Sequence, residues 1–168
     1  VAGPVDPEHI CDVAREILSK EAGPIAVKDY GEKEGPRAAQ SYIEERMEVS
    51  APIFQLGWKG DAQINGEDRL RQELVGSLAL EVLLGNSSPL YAKLYREGLI
   101  NQEFGYSYES SFGCAFLAAD GESKAPEAVC AAVAAEAARI GREGVDPALW
   151  ERVKKGVYGS RVRGLNSF

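Results

Sequence analysis

Residues able to do chemistry are few in this sequence, and its single histidine is the clearest example. His9 is the only histidine among 168 residues. A hydrolytic zinc site uses two or three His ligands, and a Ser-His-Asp triad needs its His beside a Ser, so neither site is expected here. The sequence also has no Walker-type glycine loop and no dinucleotide-binding fingerprint. His9 falls off the apolar stripe of a predicted helix, which predicts a solvent-exposed side chain.

Carboxylates occur in two sets that resemble acid–base pairs by residue type alone. These sets are Glu44 with Glu45, and Glu103 with Glu109. Neighbouring residues of a strand point to opposite faces of a sheet, so these side chains are not expected to converge. We interpret them as solvated charges.

One segment, running from Gly85 to Tyr108, brings together side chains that could stabilise an oxyanion. It predicts a turn, a short helix with Arg96 near its end, and then a strand that carries Tyr106 near its start. A guanidinium and a phenol both donate hydrogen bonds to an oxyanion, so Arg96 could act there together with a tyrosine of the strand, Tyr106 or Tyr108. The alternative is that the tyrosines pack in the core and Arg96 is a solvated charge at a helix end.

The elements that would position these residues follow from caps and periodicity. Asp6-Pro7 opens a first helix with an apolar stripe to bury, and residues 21–40 read as a linker because Gly and Pro interrupt any period. After the linker, the pattern predicts two strands, two helices, two strands and two helices. The predicted strands are Tyr42–Val49, Pro52–Lys59, Phe104–Ser110 and Gly113–Ala119, and the predicted helices run from an Asn65 cap to Leu84, from Ser88-Pro89 to Gly98, over Pro126–Ile140, and from Asp146-Pro147 to about Arg163.

This order, ββααββαα, predicts an α+β fold. Strands in antiparallel pairs with helices between them indicate one antiparallel or mixed sheet of about four strands, covered by helices. We divide the chain into residues 1–22, which end a preceding region, a linker over 23–40, and an α+β domain over 41–168.

Composition narrows the function further. The formal charge is −7, and no Lys/Arg-rich block or aromatic ladder is present, so nucleic acid is not an expected partner. No apolar run approaches the ~18 residues of a membrane span. Three widely spaced cysteines, Cys11, Cys114 and Cys130, predict reduced thiols in a cytoplasmic protein rather than a disulfide framework or a metal site.

Four motifs in a fixed order carry a family resemblance. They are Val1-Ala2-Gly3-Pro4-Val5-Asp6-Pro7-Glu8, the run from Leu83-Leu84-Gly85 through Ser87-Ser88, Leu90-Tyr91, Leu94, Arg96-Glu97 and Gly98-Leu99 to Tyr106-Ser107, then Gly121-Glu122-Ser123, and Asp146-Pro147. Together they resemble the second, non-metal domain of zinc peptidases of the insulinase, pitrilysin and mitochondrial-processing-peptidase superfamily. Two departures stand out: Tyr95 directly follows Leu94, where the family has Arg, so Arg96 fits with a shift of one residue, and the spacing from Gly-Leu to Tyr is longer.

The resemblance implies a parent protein of two similar α+β domains. The first would hold zinc on an inverted H-x-x-E-H motif, whose Glu activates the zinc-bound water. The second would close over the peptide substrate and offer Arg96 and a tyrosine to the reacting carbonyl or to the substrate backbone. Because Gly105-Tyr106-Ser107 resembles the start of the family's strand, the resemblance implies Tyr106 as that catalytic tyrosine, with Tyr108 in reserve. The metal helix of the first domain corresponds to Arg69–Leu84, which has no His. No cofactor is therefore expected in this chain, and zinc is expected in the parent.

The leading functional hypothesis is the substrate-enclosing half of a zinc endopeptidase that acts on peptides or small unfolded proteins and is inactive alone. Its partner would be the N-terminal domain of the same protein or a homologous subunit. Two alternatives stay open: a catalytically inactive partner subunit of the same superfamily, and an unrelated α+β binding module. Because Val1-Ala2-Gly3 reads as the end of a strand, we expect the chain to belong to a longer protein.

Overall fold

The fold combines five helices and a three-stranded sheet in the part of the chain that the structure describes. This structure is a computed structural model, and it describes residues 3–18, 23–29, 31, 35, 37–62, 64, 66–111 and 113–166. In chain order the elements are α1 (Pro7–Ile17), β1 (Ile53–Lys59), α2 (Gly66–Leu84), α3 (Pro89–Arg96), β2 (Gly105–Ser111), β3 (Cys114–Glu122), α4 (Pro126–Glu143) and α5 (Pro147–Gly164). The predicted α+β class is confirmed.

The sheet has the order β1-β3-β2, and both neighbouring pairs are antiparallel. β2 and β3 form a hairpin, while β1 reaches the far edge of β3 across the intervening helices. The register aligns Leu56 with Ala119, and Ala119 with Tyr106, in one row across the sheet. Tyr106 therefore extends from a row whose centre, Ala119, is completely buried.

The predicted strand Tyr42–Val49 is wrong. Residues 42–49 are described, yet they form no strand, and β1 pairs with β3 instead of forming a meander with them. Tyr42, Ile43 and Met47 are all at least 67% exposed, so their side chains are not buried against the sheet. Aromatic and β-branched residues suit a sheet, whereas a strand also needs a neighbour for its backbone groups. The sheet of the described residues consequently has three strands rather than about four.

The first helix forms as predicted but without a buried face. Asp6 caps α1 by accepting a 3.0 Å hydrogen bond from the backbone N–H of Glu8. No residue of α1 is buried, and Ile10, Val13 and Ile17 of its apolar stripe are between 37% and 75% exposed. His9 is exposed, as predicted. The predicted Asn65 cap, the strand end at Val1-Ala2 and several positions of the predicted linker lie outside the described residues.

The core lies between the sheet and the helices. α2 packs on β2, α4 reaches β1, and α5 covers α2 from the other side. The rings of Phe54 and Phe104 stack with centroids 6.3 Å apart. Gly121 pairs with Phe54, and a Cβ on it would lie 3.2 Å from Phe104 Cα, so the glycine lets Phe104 approach closely. This cluster, with the fully buried Leu84, supports the segment that carries the candidate site.

Candidate functional site

Tyr106 lies at the second position of β2, and its hydroxyl is already engaged. The phenol donates a 2.5 Å hydrogen bond to the Glu81 Oε2 atom, which comes from the last turn of α2. Both side chains are half-buried. The pair joins the start of β2 to the end of the helix that packs on it, so the site spans two elements held together by the core.

The Glu81 side chain reaches this position because the helix ends in glycine. Gly85 donates its backbone N–H to the carbonyl oxygen of Glu81 at 3.0 Å. A Cβ at Gly85 would lie 2.3 Å from that carbonyl oxygen and 2.7 Å from Glu81 Oε1, so no other residue fits without movement of the backbone. The glycine that ends α2 thus also leaves room for the Glu81 carboxylate.

The surroundings keep the Tyr106 phenol neutral. Burial raises the pKa of Tyr106 well above its usual range, and the hydrogen bond to Glu81, the charge of Glu81 and the neighbouring Tyr91 raise it further. Since a phenolate beside a carboxylate in a half-buried site would be strongly disfavoured, the hydroxyl retains its proton throughout the physiological pH range.

Tyr108, the reserve candidate, has a structural environment of its own. Its hydroxyl oxygen accepts a 2.7 Å hydrogen bond from the Gln72 side-chain amide on α2. The Gln72 side chain also forms two hydrogen bonds with the backbone of Asp61. Its Nε2 donates to the Asp61 carbonyl at 3.0 Å, and its Oε1 accepts from the Asp61 N–H at 3.3 Å. The tyrosine is therefore part of a network that fixes the loop after β1 to α2.

Arg96 is the last residue of α3, and its side chain is exposed. The helix starts at a Ser88 cap whose Oγ accepts the backbone N–H of Tyr91 at 3.0 Å. It ends in a Schellman motif: Leu99 N–H donates to the Leu94 carbonyl at 2.9 Å, and Gly98 takes a left-handed φ of +68°. Both ends of α3 are thereby fixed, which fixes the position of the Arg96 backbone.

No hydrogen bond joins the two principal candidates, Arg96 and Tyr106. Arg96 forms no hydrogen bond or ion pair with any described residue, while Tyr106 bonds to Glu81. Glu81 was absent from the sequence-based candidates. The sequence does contain a signal for Glu81, since it is the only charged residue in the apolar run from Leu78 to Leu84. A carboxylate in such a run needs a partner when the helix is buried.

Metal-binding potential is limited in the described part of the chain. No group of three or more His, Cys, Asp and Glu side chains within it could hold a metal ion. α2, which corresponds to a metal helix by the resemblance above, contains no histidine. The helices of this same part also include none long and apolar enough to cross a membrane.

Two comparisons with known proteins agree with each other. The curated zinc protease YmfH of Bacillus subtilis (strain 168), described as uncharacterized, is 29% identical over 170 residues, which is 99% of this chain and 40% of YmfH. The crystal structure of an M16-like peptidase from Alicyclobacillus acidocaldarius superposes with a TM-score of 0.77 at 25% identity, covering 97% of this chain and 39% of that one. The chain thus spans about two-fifths of the length of each of these relatives.

A protein-family comparison gives the most specific result. The family described as the peptidase M16 inactive domain matches residues 1–157, nearly the whole chain. This match includes α2, α3 and β2, the elements that carry Glu81, Arg96 and Tyr106. The chain therefore belongs to the peptidase M16 family, as a domain of its inactive type.

Proposed function

We propose that the chain forms the substrate-enclosing half of a zinc-dependent endopeptidase that cuts peptides or small unfolded proteins. One observation carries the proposal, namely the match of residues 1–157 to the inactive-domain family. A relative named a zinc protease aligns with nearly the whole chain and continues well beyond it. In this proposal the metal and the water that it activates belong to another region of the same protein or to a homologous subunit.

The residues that the structure describes do not fit a zinc site. Zinc in peptidases takes His and carboxylate ligands in a compact set, whereas the described residues offer no such cluster. The contribution of this chain is to bind the peptide, orient it and restrict water around it.

Two side chains are proposed to meet the substrate from this half. Arg96 is exposed at the fixed end of α3, where a guanidinium can donate hydrogen bonds to the reacting carbonyl oxygen. Tyr106, at the start of β2, contacts the substrate backbone. Before the Tyr106 hydroxyl can donate to the carbonyl oxygen, its hydrogen bond to Glu81 must break.

The arrangement of domains also stays a proposal. An 11-residue helix is marginally stable alone in water, and α1 leaves its stripe exposed. Both facts favour assigning residues 1–22 to a preceding region, 23–40 to a linker and 41–168 to the α+β domain. The three free cysteines and the acidic charge favour a cytoplasmic protein that does not bind nucleic acid.

A second function from the same family is a catalytically inactive partner subunit. The family match leaves this reading open, while it removes the unrelated binding module. The test is hydrolysis of internally quenched peptides by the full-length protein, measured before zinc chelation, after it, and after zinc is restored. The proposal predicts hydrolysis that chelation abolishes and zinc restores. A pure, folded full-length protein without hydrolysis would instead support the partner subunit.

A further inference from the structure

Tyr91 and Tyr95 of α3 form a stacked pair of aromatic rings. The two residues are four positions apart, so their side chains lie on the same side of the helix. Their ring centroids are 6.0 Å apart, and the ring planes differ by 14°. Tyr95 is 46% exposed, whereas Tyr91 is partly buried. Tyr95 is therefore the outer member of the pair.

A row of aromatic rings supports this pair from the core. Tyr91 also contacts Phe104, with ring centroids 6.3 Å apart, and Phe104 stacks on Phe54 with centroids 6.3 Å apart. Phe54 and Phe104 are both buried. The row thus runs from Phe54 in the core, through Phe104 and Tyr91, to the exposed ring of Tyr95.

The exposed end of the row lies beside the candidate site. Arg96 directly follows Tyr95, and its side chain is also exposed. Tyr91 lies close enough to the Tyr106 phenol to contribute to its raised pKa. The N-terminal cap and the Schellman motif fix both ends of α3. Tyr95 is thereby held next to the guanidinium that we propose to meet the reacting carbonyl.

We propose that Tyr95 is a specificity-determining residue, whose exposed ring stacks with an aromatic side chain of the peptide substrate. Tyr91 packs on one side of the ring, so the exposed part is a flat apolar surface of the kind on which a second ring can stack. Consecutive Cα atoms are about 3.8 Å apart, so the stacking residue should lie near the bond whose carbonyl Arg96 contacts. The inference rests on the proposed function, since it places the peptide at this end of α3.

A cationic side chain is the alternative ligand of an exposed tyrosine ring. The charged residues nearest to Tyr95 in the sequence are Lys93, Arg96 and Glu97, all of them exposed, which gives two positive charges and one negative charge. Arg96, directly adjacent, would repel a lysine or an arginine that approached the ring. The charges around Tyr95 therefore favour a neutral aromatic side chain over a cationic one.

Peptides that differ at one position test this selectivity. In internally quenched peptides, each position near the scissile bond is filled in turn by phenylalanine, leucine or lysine, and kcat/KM is measured with the full-length protein. Phenylalanine and leucine are both large apolar side chains, but only phenylalanine can stack. We expect one position at which wild type prefers phenylalanine over leucine about threefold to tenfold, the size of an aromatic pairing contribution. Mass spectrometry of the products identifies the cut bond in each peptide.

Substitution of Tyr95 separates stacking from simple hydrophobic contact. Tyr95→Leu should bring the phenylalanine-to-leucine ratio at that position close to one, whereas Tyr95→Phe should keep the wild-type ratio because the ring remains. Tyr158→Leu, at a tyrosine that is 73% exposed on α5, is the matched control and should also keep the ratio. Unfolding midpoints establish that each variant is folded.

The proposal is overturned by either of two results. One is a phenylalanine-to-leucine ratio that is close to one at every position in wild type, or that a folded Tyr95→Leu protein leaves unchanged. The other is a wild-type preference for lysine that Tyr95→Leu removes, which would make the ring a site for a cation.

Absence of hydrolysis by wild type contradicts the proposed function instead. The same peptides then test the ring through their Kd for the full-length protein, measured by isothermal titration calorimetry. Tighter binding of one phenylalanine peptide than of its leucine counterpart, lost in Tyr95→Leu, supports the stacking contact. Equal binding of the two peptides by wild type, or no binding, overturns it.

Discussion

The aromatic ring of Tyr108 lies against Gly76, so that a Cβ on this glycine would be 2.8 Å from Tyr108 Cδ2. Gly76 is in the middle of α2, where alanine would otherwise favour the helix by about 1 kcal/mol. Overpacking of a close contact costs about 1 to 3 kcal/mol. We therefore expect Gly76→Ala to lower the free energy of unfolding by about 1 kcal/mol, measured by urea denaturation.

The control for this prediction is Gly156→Ala in α5. Nothing lies within 4 Å of the Cβ position at Gly156, so this change should raise the free energy of unfolding by about 0.5 to 1 kcal/mol. Equal effects of the two substitutions would contradict the packing of Tyr108 on α2.

The pH dependence of stability should reveal the environment of Tyr106. The pKa of this phenol is raised by burial and by Glu81, so the folded state holds the proton more tightly than the unfolded state does. Its contribution to stability is therefore complete below the unfolded pKa of about 10 and is lost as pH rises toward the folded pKa. Wild type should lose stability more steeply above pH ~10 than Tyr106→Phe does. Tyr158→Phe, at a phenol that is 73% exposed, should keep the wild-type slope.

Arg96 should affect turnover without affecting folding. Its side chain is exposed and makes no bond to the described residues, so Arg96→Ala should leave the unfolding midpoint unchanged. Loss of one donor to a developing oxyanion typically lowers kcat about a hundredfold. Lys93→Ala, three residues earlier in α3, is the matched control and should retain wild-type kcat. Wild-type turnover of Arg96→Ala would remove the proposed role and make Tyr95 the next residue to test.

The fold was predictable wherever local signals act alone. Caps at Asp6, Ser88 and Asp146 predicted three helix starts, and the structure places an accepting side chain at each. Strand pairing was predicted less well because it depends on distant residues. Residues 42–49 were predicted to form a strand, but both sides of β3 are already paired, with β1 on one side and β2 on the other.

The candidate site was predictable only in part for a related reason. The positions of Arg96 and Tyr106 follow from local motifs, whereas the Tyr106–Glu81 bond joins residues 25 positions apart. The residue types alone do not determine which of several carboxylates accepts the hydrogen bond of a phenol. Only the packing of α2 on β2 decides it.

The predicted linker over residues 21–40 should be the first site of limited proteolysis. Its described residues form no helix or strand, and Ile25 and Val27 are more than 90% exposed. Exposed irregular backbone fits a protease active site, whereas the backbone of α2 is held by hydrogen bonds and packing. Mass spectrometry of the early fragments identifies the cut. Initial cleavage inside Arg69–Leu84 would show that the domain boundary is misplaced.

The central claim is that this chain encloses the substrate while another region holds the metal. The most direct measurement is zinc content by elemental analysis of two purified proteins, the 168-residue chain and the full-length protein. We expect less than about 0.1 zinc per molecule for the chain, because one histidine and three separated cysteines cannot supply a tetrahedral set, and about one per molecule for the full-length protein. One tightly held zinc in the 168-residue chain, or none in the full-length protein, would contradict the account.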